Sequence, residues 1–273
     1  MSDVRVRTLV ADGVAELVLS RPEKRNALDD RTIAELKEAL QLAAEDERVR
    51  VLLLRGEGKD FCAGADLSQL ERIAVSAGPM ENLEDAASLG ALFVAMRRLE
   101  KPIVAAVHGH AFAGGAGLAT ACDIVLATDD ALFGYPEIHL GFVPAMVMAL
   151  LRRTSSEKIV FELAARGDRI TAGEARAYGL VNRLFPPETF EVDAREYARE
   201  LARRSPSALA LIKRLLYGMD TMSFDEAIAR GAEINAIARL TPDYRAGVRR
   251  FLESRGARPA GAPPPDVPRR TEP

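Results

Sequence analysis

The chain has few of the residues that build cross-linked or metal-bound domains: among 273 residues there are two cysteines, Cys62 and Cys122, and three histidines. Neither cysteine has a CxxC partner or a histidine at ligand spacing, which argues against a disulfide framework and a structural zinc and points to a reducing compartment. His108, His110 and His139 show no metal-like spacing with acidic residues, so no metal is expected. No apolar run reaches the roughly 18 residues of a membrane span. Asp3, Arg5, Arg7, Asp12 and Glu16 interrupt the start of the chain, leaving no apolar signal core, and a cytoplasmic location is expected. Positive charge is not in excess either. A net charge of −3 gives no reason to expect nucleic acid or an anionic membrane as partner, so any anionic ligand must be met by local basic groups. Phosphate-loop signatures are absent too: Gly56-Glu57-Gly58-Lys59-Asp60 lacks the Walker spacing and its hydroxyl residue, and no GxGxxG opens a helix after the first strand.

What remains is an ordinary soluble composition, 48% apolar and 28% charged, long enough to bury a full core with a smaller appendage. Val4 to Val10 and Val14 to Leu19, split by Asp12-Gly13, predict an antiparallel hairpin. Asp29 or Asp30 can cap a helix whose Ile33, Leu36 and Leu40 recur at helical spacing and which fades at Glu45-Asp46. Val49 to Leu54 and Pro102 to Val107 read as buried strands, Leu67 to Ile73 as a short helix and Ala86 to Leu99 as a longer one, with 76–82 left unassigned. The strand, turn, helix rhythm predicts α/β layering on a largely parallel sheet. From about residue 187 the texture becomes helical, over 188–204, 206–217, 223–239 and 242–254, and the Pro-, Ala-, Gly- and Arg-rich stretch 256–273 is expected to be a flexible tail.

Two glycine-rich turns 50 residues apart carry the most chemical information: Phe61-Cys62-Ala63-Gly64-Ala65-Asp66-Leu67 and Gly109-His110-Ala111-Phe112-Ala113-Gly114-Gly115-Ala116-Gly117-Leu118. Each follows a buried strand and leads into a segment that can start a helix. Small residues let a ligand reach the main chain, and a helix N-terminus supplies partial positive charge. Together the turns could aim two backbone N–H groups at one oxygen, the arrangement that holds a thioester carbonyl while it becomes an enolate. Either turn alone reads more readily as a tight packing corner; seen as a pair they favour the chemical reading. Cys62 reads as a small space-filling thiol, Asp66 as the cap of the next helix and Asp123 as the anchor of a strand end.

These turns, together with Phe133-Gly134-Tyr135-Pro136-Glu137-Ile138, Gly141-Phe142-Val143-Pro144, Arg21-Pro22-Glu23-Lys24-Arg25-Asn26-Ala27-Leu28 and Ala172-Gly173-Glu174-Ala175 through Gly179-Leu180-Val181, resemble the signature blocks of the crotonase, or enoyl-CoA hydratase/isomerase, superfamily from about residue 5 to 255. The resemblance implies an α/β fold, a spiral of ββα turns over 1–186 carrying an acyl-CoA site, with a helical C-terminal subdomain over 187–255, assembled as a homo-trimer or hexamer. It assigns the oxyanion donors to the N–H groups of Ala65 and Gly114 and proton transfer to Glu137, whose pKa burial beside an acyl chain should raise. It further implies substrate contacts by Lys24, Arg25, Ala27, Leu28, Ala63, Ala65, Asp66, Leu67, Gly114 and Phe251, and no cofactor beyond the coenzyme A of the substrate. Leu70, Ile73, Phe142 and segment 76–90 are expected to wall the pocket.

One position departs from the pattern. Where two-carboxylate hydratases carry a second glutamate, three residues after the second oxyanion glycine, this chain has Gly117. Hydration of a 2-enoyl-CoA in fatty-acid or related acyl degradation is the leading expectation. The alternatives are a 3,2-enoyl-CoA isomerase using Glu137 alone, and a noncatalytic acyl-CoA- or RNA-binding relative.

Overall fold

The computed structural model describes residues 4–76 and 78–255. The expected tail over 256–273 lies outside the described residues. In chain order the elements are β1 (Val6–Ala11), β2 (Val14–Leu19), α1 (Asp30–Glu45), β3 (Val51–Gly56), α2 (Leu67–Ser76), α3 (Pro79–Arg98), β4 (Ile103–Val107), β5 (His110–Phe112) and α4 (Gly114–Ala121). There follow β6 (Ile124–Thr128), β7 (Leu132–Gly134), α5 (Ala145–Thr154), α6 (Glu157–Arg166), β8 (Arg169–Thr171), α7 (Ala172–Ala177) and β9 (Arg183–Phe185). Among the described residues only helices follow β9: α8 (Phe190–Ala202), α9 (Pro206–Gly218), α10 (Phe224–Leu240) and α11 (Pro242–Ser254), besides a short 3-10 turn at Met219–Thr221.

Asp12 and Gly13 both adopt positive φ, 52° and 81°, which closes the β1–β2 hairpin in the way an Asp-Gly pair favours. Asp29 caps α1, accepting from the Thr32 N–H at 2.7 Å. Helix α3 begins at Pro79, well before the Ala86 start that its apolar residues suggest. Pro79 suits the first helical position, where no N–H is needed, but apolar and polar residues are spread around the first turns of α3 rather than striped, so periodicity hid them.

The large sheet has strand order β1-β2-β3-β4-β6-β9 and is parallel except for the β1–β2 pair, while a small sheet has the order β5-β7-β8. Alternation along the central strands buries both faces of the large sheet. Leu52, Leu54, Ile103, Ala105 and Val107 enter the main core with α1, α3 and α4, whereas Val51, Leu53, Val104, Ala106 and Leu126 meet Phe190, Ala194, Ala198 and Ala202 of α8. That double burial is why these strands read as unbroken apolar runs.

The spiral arises because the chain repeatedly leaves a strand of the large sheet, makes a second short strand, and turns into a helix. β4, β5 and α4 form one such turn; β6, β7 and α5 form the next. In the earlier turns the second strand shrinks to single bridges, Cys62 to Ala111 and Leu28 to Ala65. The same bridges stack the two glycine-rich turns on each other and on the segment after β2. Compact units divide at Tyr217–Gly218, so α8 and nearly all of α9 belong with the sheets in the first unit. In the second unit α10 packs on α11, with α10 opened by a capping box between Ser223 and Glu226.

Candidate active site

The two glycine turns are knit together by main-chain bonds. The Cys62 N–H donates to the His110 carbonyl at 3.1 Å and the Phe112 N–H to the Cys62 carbonyl at 3.0 Å. Gly64, at φ +95°, lets the turns touch: a Cβ there would lie 2.8 Å from the Phe112 oxygen and 3.5 Å from the Gly114 nitrogen. Within 62–66 nearly every amide is used. Ala63 donates to Arg25 O at 3.0 Å, Asp66 to Leu28 O at 3.0 Å, and Gly64 to the Cys62 sulfur. Ala65 is the exception; its N–H meets no acceptor among the described residues.

The second turn shows the same pattern. Ala113 donates to Gly134 O at 2.9 Å and accepts from Gly117 N–H at 2.9 Å, while the N–H of Gly114, the first residue of α4, has no acceptor among the described residues. Ala113 holds φ 49°, ψ −124°, a strained conformation for a residue with a Cβ, and it sets the plane of the peptide that carries the Gly114 N–H.

Ala65, Gly114 and Glu137 line one cavity of about 240 Å³, with Leu28, Ile33, Leu70, Ile73, Ala86, Leu89, Phe142 and Val147 among its apolar walls. Glu137 sits in a 3-10 turn over Pro136–Leu140, where Pro136 fixes the entry and Gly141 at φ 67° closes it. Its side chain is 8% exposed and its Oε2 has no hydrogen-bond partner. Burial pushes the carboxyl pKa up, opposed only by a backbone hydrogen bond.

The expected contact residues fall into distinct groups. Leu28, Ala63 and Leu67 line the cavity. Asp66 caps α2 through the Ser68 N–H at 3.0 Å and pairs with buried Arg21 at 2.8 Å; Ala27 is buried, its carbonyl accepting from Arg21 Nη1 at 2.8 Å. Arg21 is a residue the sequence reading passed over. Lys24, exposed, lines a shallower groove with Arg21, Arg31 and Arg72 that shares Gln69 with the cavity. Arg25 lies outside both lining sets. Its guanidinium donates to Asp60 at 2.6 Å and lies 2.8 Å from His110 Nδ1; although burial favours the neutral acid, Arg25 and His110 hold the Asp60 carboxyl at about 2. Phe251 is half exposed on α11, in the second unit, with Arg255 over its ring.

Cys62 is fully buried and its thiol is pushed up to about 12, so it fills space rather than acting as a nucleophile. A side chain at position 117 would force its neighbours to shift. A Cβ on Gly117 would lie 2.5 Å from Val147 Cγ2 and 3.1 Å from Phe93 Cζ. Among the described residues no cluster suited to a metal ion occurs, and no helix is long and apolar enough to cross a membrane.

A spiral of ββα turns with an apolar cavity where two of those turns meet is the architecture of crotonase-type proteins. The enoyl-CoA hydratase/isomerase family profile matches residues 10–259, and the chain belongs to that family of enzymes. It is 42% identical over 245 residues to a Thermus thermophilus protein provisionally named an enoyl-CoA hydratase, covering 90% of this chain and 96% of that one. It is 33% identical to the 1,2-epoxyphenylacetyl-CoA isomerase of Escherichia coli, covering 90% and 94%. The crystal structure of an enoyl-CoA hydratase from Mycobacterium smegmatis superposes with a TM-score of 0.88 at 31% identity, covering 92% of this chain and 97% of that one.

Proposed function

We propose that the chain hydrates 2-enoyl-CoA thioesters through an enolate held by the N–H groups of Ala65 and Gly114, with Glu137 exchanging the proton at the α carbon. The observation that carries this reading is the meeting, in one apolar cavity, of two amides without acceptors among the described residues and a buried carboxyl whose Oε2 has no hydrogen-bond partner there. Negative charge developing on a thioester oxygen is stabilised by preorganised donors at about 2.7–3.1 Å, and Gly114 adds the positive end of α4. A carboxyl raised by burial is suited to both giving and taking a proton. The apolar walls accept an acyl chain, while Lys24 in the adjoining groove suits a phosphate of coenzyme A.

The second reading is 3,2-enoyl-CoA isomerisation, with Glu137 carrying a proton between the α and γ carbons. It is favoured by the filled space at Gly117, which removes the usual second glutamate, and by the likeness to a named acyl-CoA isomerase. Incubation with trans-2-butenoyl-CoA and with a 3-enoyl-CoA separates the two. Loss of the conjugated absorbance from the former supports hydration, its appearance from the latter supports isomerisation, and no turnover of either defeats both and leaves the noncatalytic binder. As for assembly, we propose a homo-trimer or hexamer. Phe224, Ile228, Leu240 and Phe251 of the second unit are well exposed, and apolar surface of that kind is normally covered by a second chain. Light scattering coupled to gel filtration decides it.

A further inference from the structure

Among the residues lining the cavity, three side chains carry hydrogen-bonding groups: Glu137, Gln69 and Asp85. Gln69 is fully committed. Its Nε2 donates to Asp85 Oδ1 and to Asp30 Oδ1, both at 2.7 Å, and its Oε1 accepts from the Asp30 N–H at 3.1 Å. Asp85 is thereby tied to Gln69 through one oxygen, with the Asp30 carboxyl hydrogen-bonded beside it, and it forms part of the cavity wall.

Its place along α3 is defined by neighbours one and two turns on. Leu89 lies against Gly114, since a Cβ there would be 3.6 Å from Leu89 Cδ2, and Phe93 lies against Gly117 at 3.1 Å on the same measure. Asp85, Leu89 and Phe93 share one helical face. Asp85 therefore stands one turn, about 5.4 Å, beyond the side chain that lies against Gly114, on the cavity side away from Gly117. Glu137, nine-tenths buried and with no hydrogen-bond partner for its Oε2, lines the same space from the 3-10 turn.

We propose that Asp85 is the second proton-handling carboxyl of this site, taking a proton from the water that adds to the β carbon while Glu137 gives one to the α carbon. The inference rests on the hydratase reading above and supplies the group that Gly117 lacks. As the water oxygen bonds to Cβ, the π pair of the double bond moves into the enolate held by Ala65 and Gly114. One water proton passes to Asp85, and the Glu137 proton passes to Cα. The product gains one H₂O, and the two carboxyls, having exchanged protonation states, reset through solvent. Burial and the neighbouring Asp30 raise the Asp85 pKa, against the Gln69 hydrogen bond and the charge of Arg72, which strengthens it as a base.

The test uses the full chain and the Asp85→Asn variant, whose amide oxygen can still accept from Gln69. Two rates are measured: hydration of trans-2-butenoyl-CoA, and exchange of the α protons of butyryl-CoA in D₂O followed by NMR. Exchange needs only the two amides and Glu137. The expected result is a hydration kcat lower by about 10²–10⁴, with the ratio of hydration to exchange falling by at least about 30-fold and KM little changed. Hydration within about threefold of wild type, an equal fall in both rates, or a rise in KM with kcat unchanged would each overturn the role of Asp85 while leaving the hydratase reading in place. Wild-type protein that exchanges α protons but does not hydrate overturns both.

Discussion

Val147 fills the space into which any side chain on Gly117 would grow, with Cγ2 2.5 Å from the position of the missing Cβ. Gly117 and Val147 are thus a matched pair, small on α4 and β-branched on α5, that lets the two helices pack closely. Substituting Gly117→Ala overpacks that contact and is expected to lower stability by about 1–3 kcal/mol, read as a shift in the urea midpoint at constant slope. Combining it with Val147→Ala should recover part of the loss, because the two residues share the space.

Glu137→Gln is expected to reduce turnover by about 10²–10⁴ while acyl-CoA binding, measured calorimetrically, stays close to wild type. The same change should stabilise the fold at neutral pH. Burial raises the Glu137 pKa above its ordinary value of 4.5, so through that window the unfolded chain has released a proton that the folded chain still holds. Folding stability from this group is therefore full below pH 4.5 and lost as pH rises through the folded pKa. Denaturation at pH 7.5 should find the glutamine variant gaining relative to wild type, and at pH 4 the gain should vanish.

Lys213 supplies a test of the scaffold. It is 6% exposed, and its ammonium donates to Asp123 Oδ2 at 2.7 Å and to the carbonyls of Met96 and Lys101, while Tyr217 donates to the other Asp123 oxygen at 2.6 Å. Burial lowers the Lys213 pKa against the pull of Asp123. Lys213→Ala removes the cation from Asp123, which keeps the Tyr217 hydroxyl and the Ile103 N–H, and takes a donor from two carbonyls; breaking such a buried pair is expected to cost about 3–5 kcal/mol. The double variant Lys213→Met, Asp123→Leu should be milder than the single change; thermal melts of both decide it.

Local rules made the core strands and the glycine turns legible: apolar runs for β3 and β4, Asp-Gly for the hairpin, and small residues where main chains touch. Glu137 was singled out by its place in a family block, since a glutamate after a proline taken alone more often marks a surface turn or a helix start. Lys213 was hidden, since a lysine in a helix normally points to water and only the tertiary path of α9 buries it. Asp85 was hidden for a related reason: it lies near the start of α3, where the apolar pattern is weak, and its partners Gln69 and Asp30 come from two other segments. The short strand β5 was obscured by the glycine turn around it, because its pairing is set by the spiral rather than by its own propensity.

The contact between Gly64 and the second turn offers the sharpest test of the amide pair. Gly64 has φ +95°, where an alanine is strained, and a Cβ would press on Phe112 O at 2.8 Å and Ala113 Cβ at 2.9 Å. Gly64→Ala must push the two turns apart, and the residue displaced most directly is Ala65, whose N–H shares the cavity with that of Gly114. Losing one preorganised donor lowers kcat by about 10²–10³, so a fall of that size is expected, with KM for the thioester changed far less. Calorimetric affinity for free coenzyme A, whose nucleotide lies away from the acyl cavity in the proposed arrangement, should stay within a few-fold. A variant with wild-type kcat would show that the spacing of the Ala65 and Gly114 amides does not control the reaction.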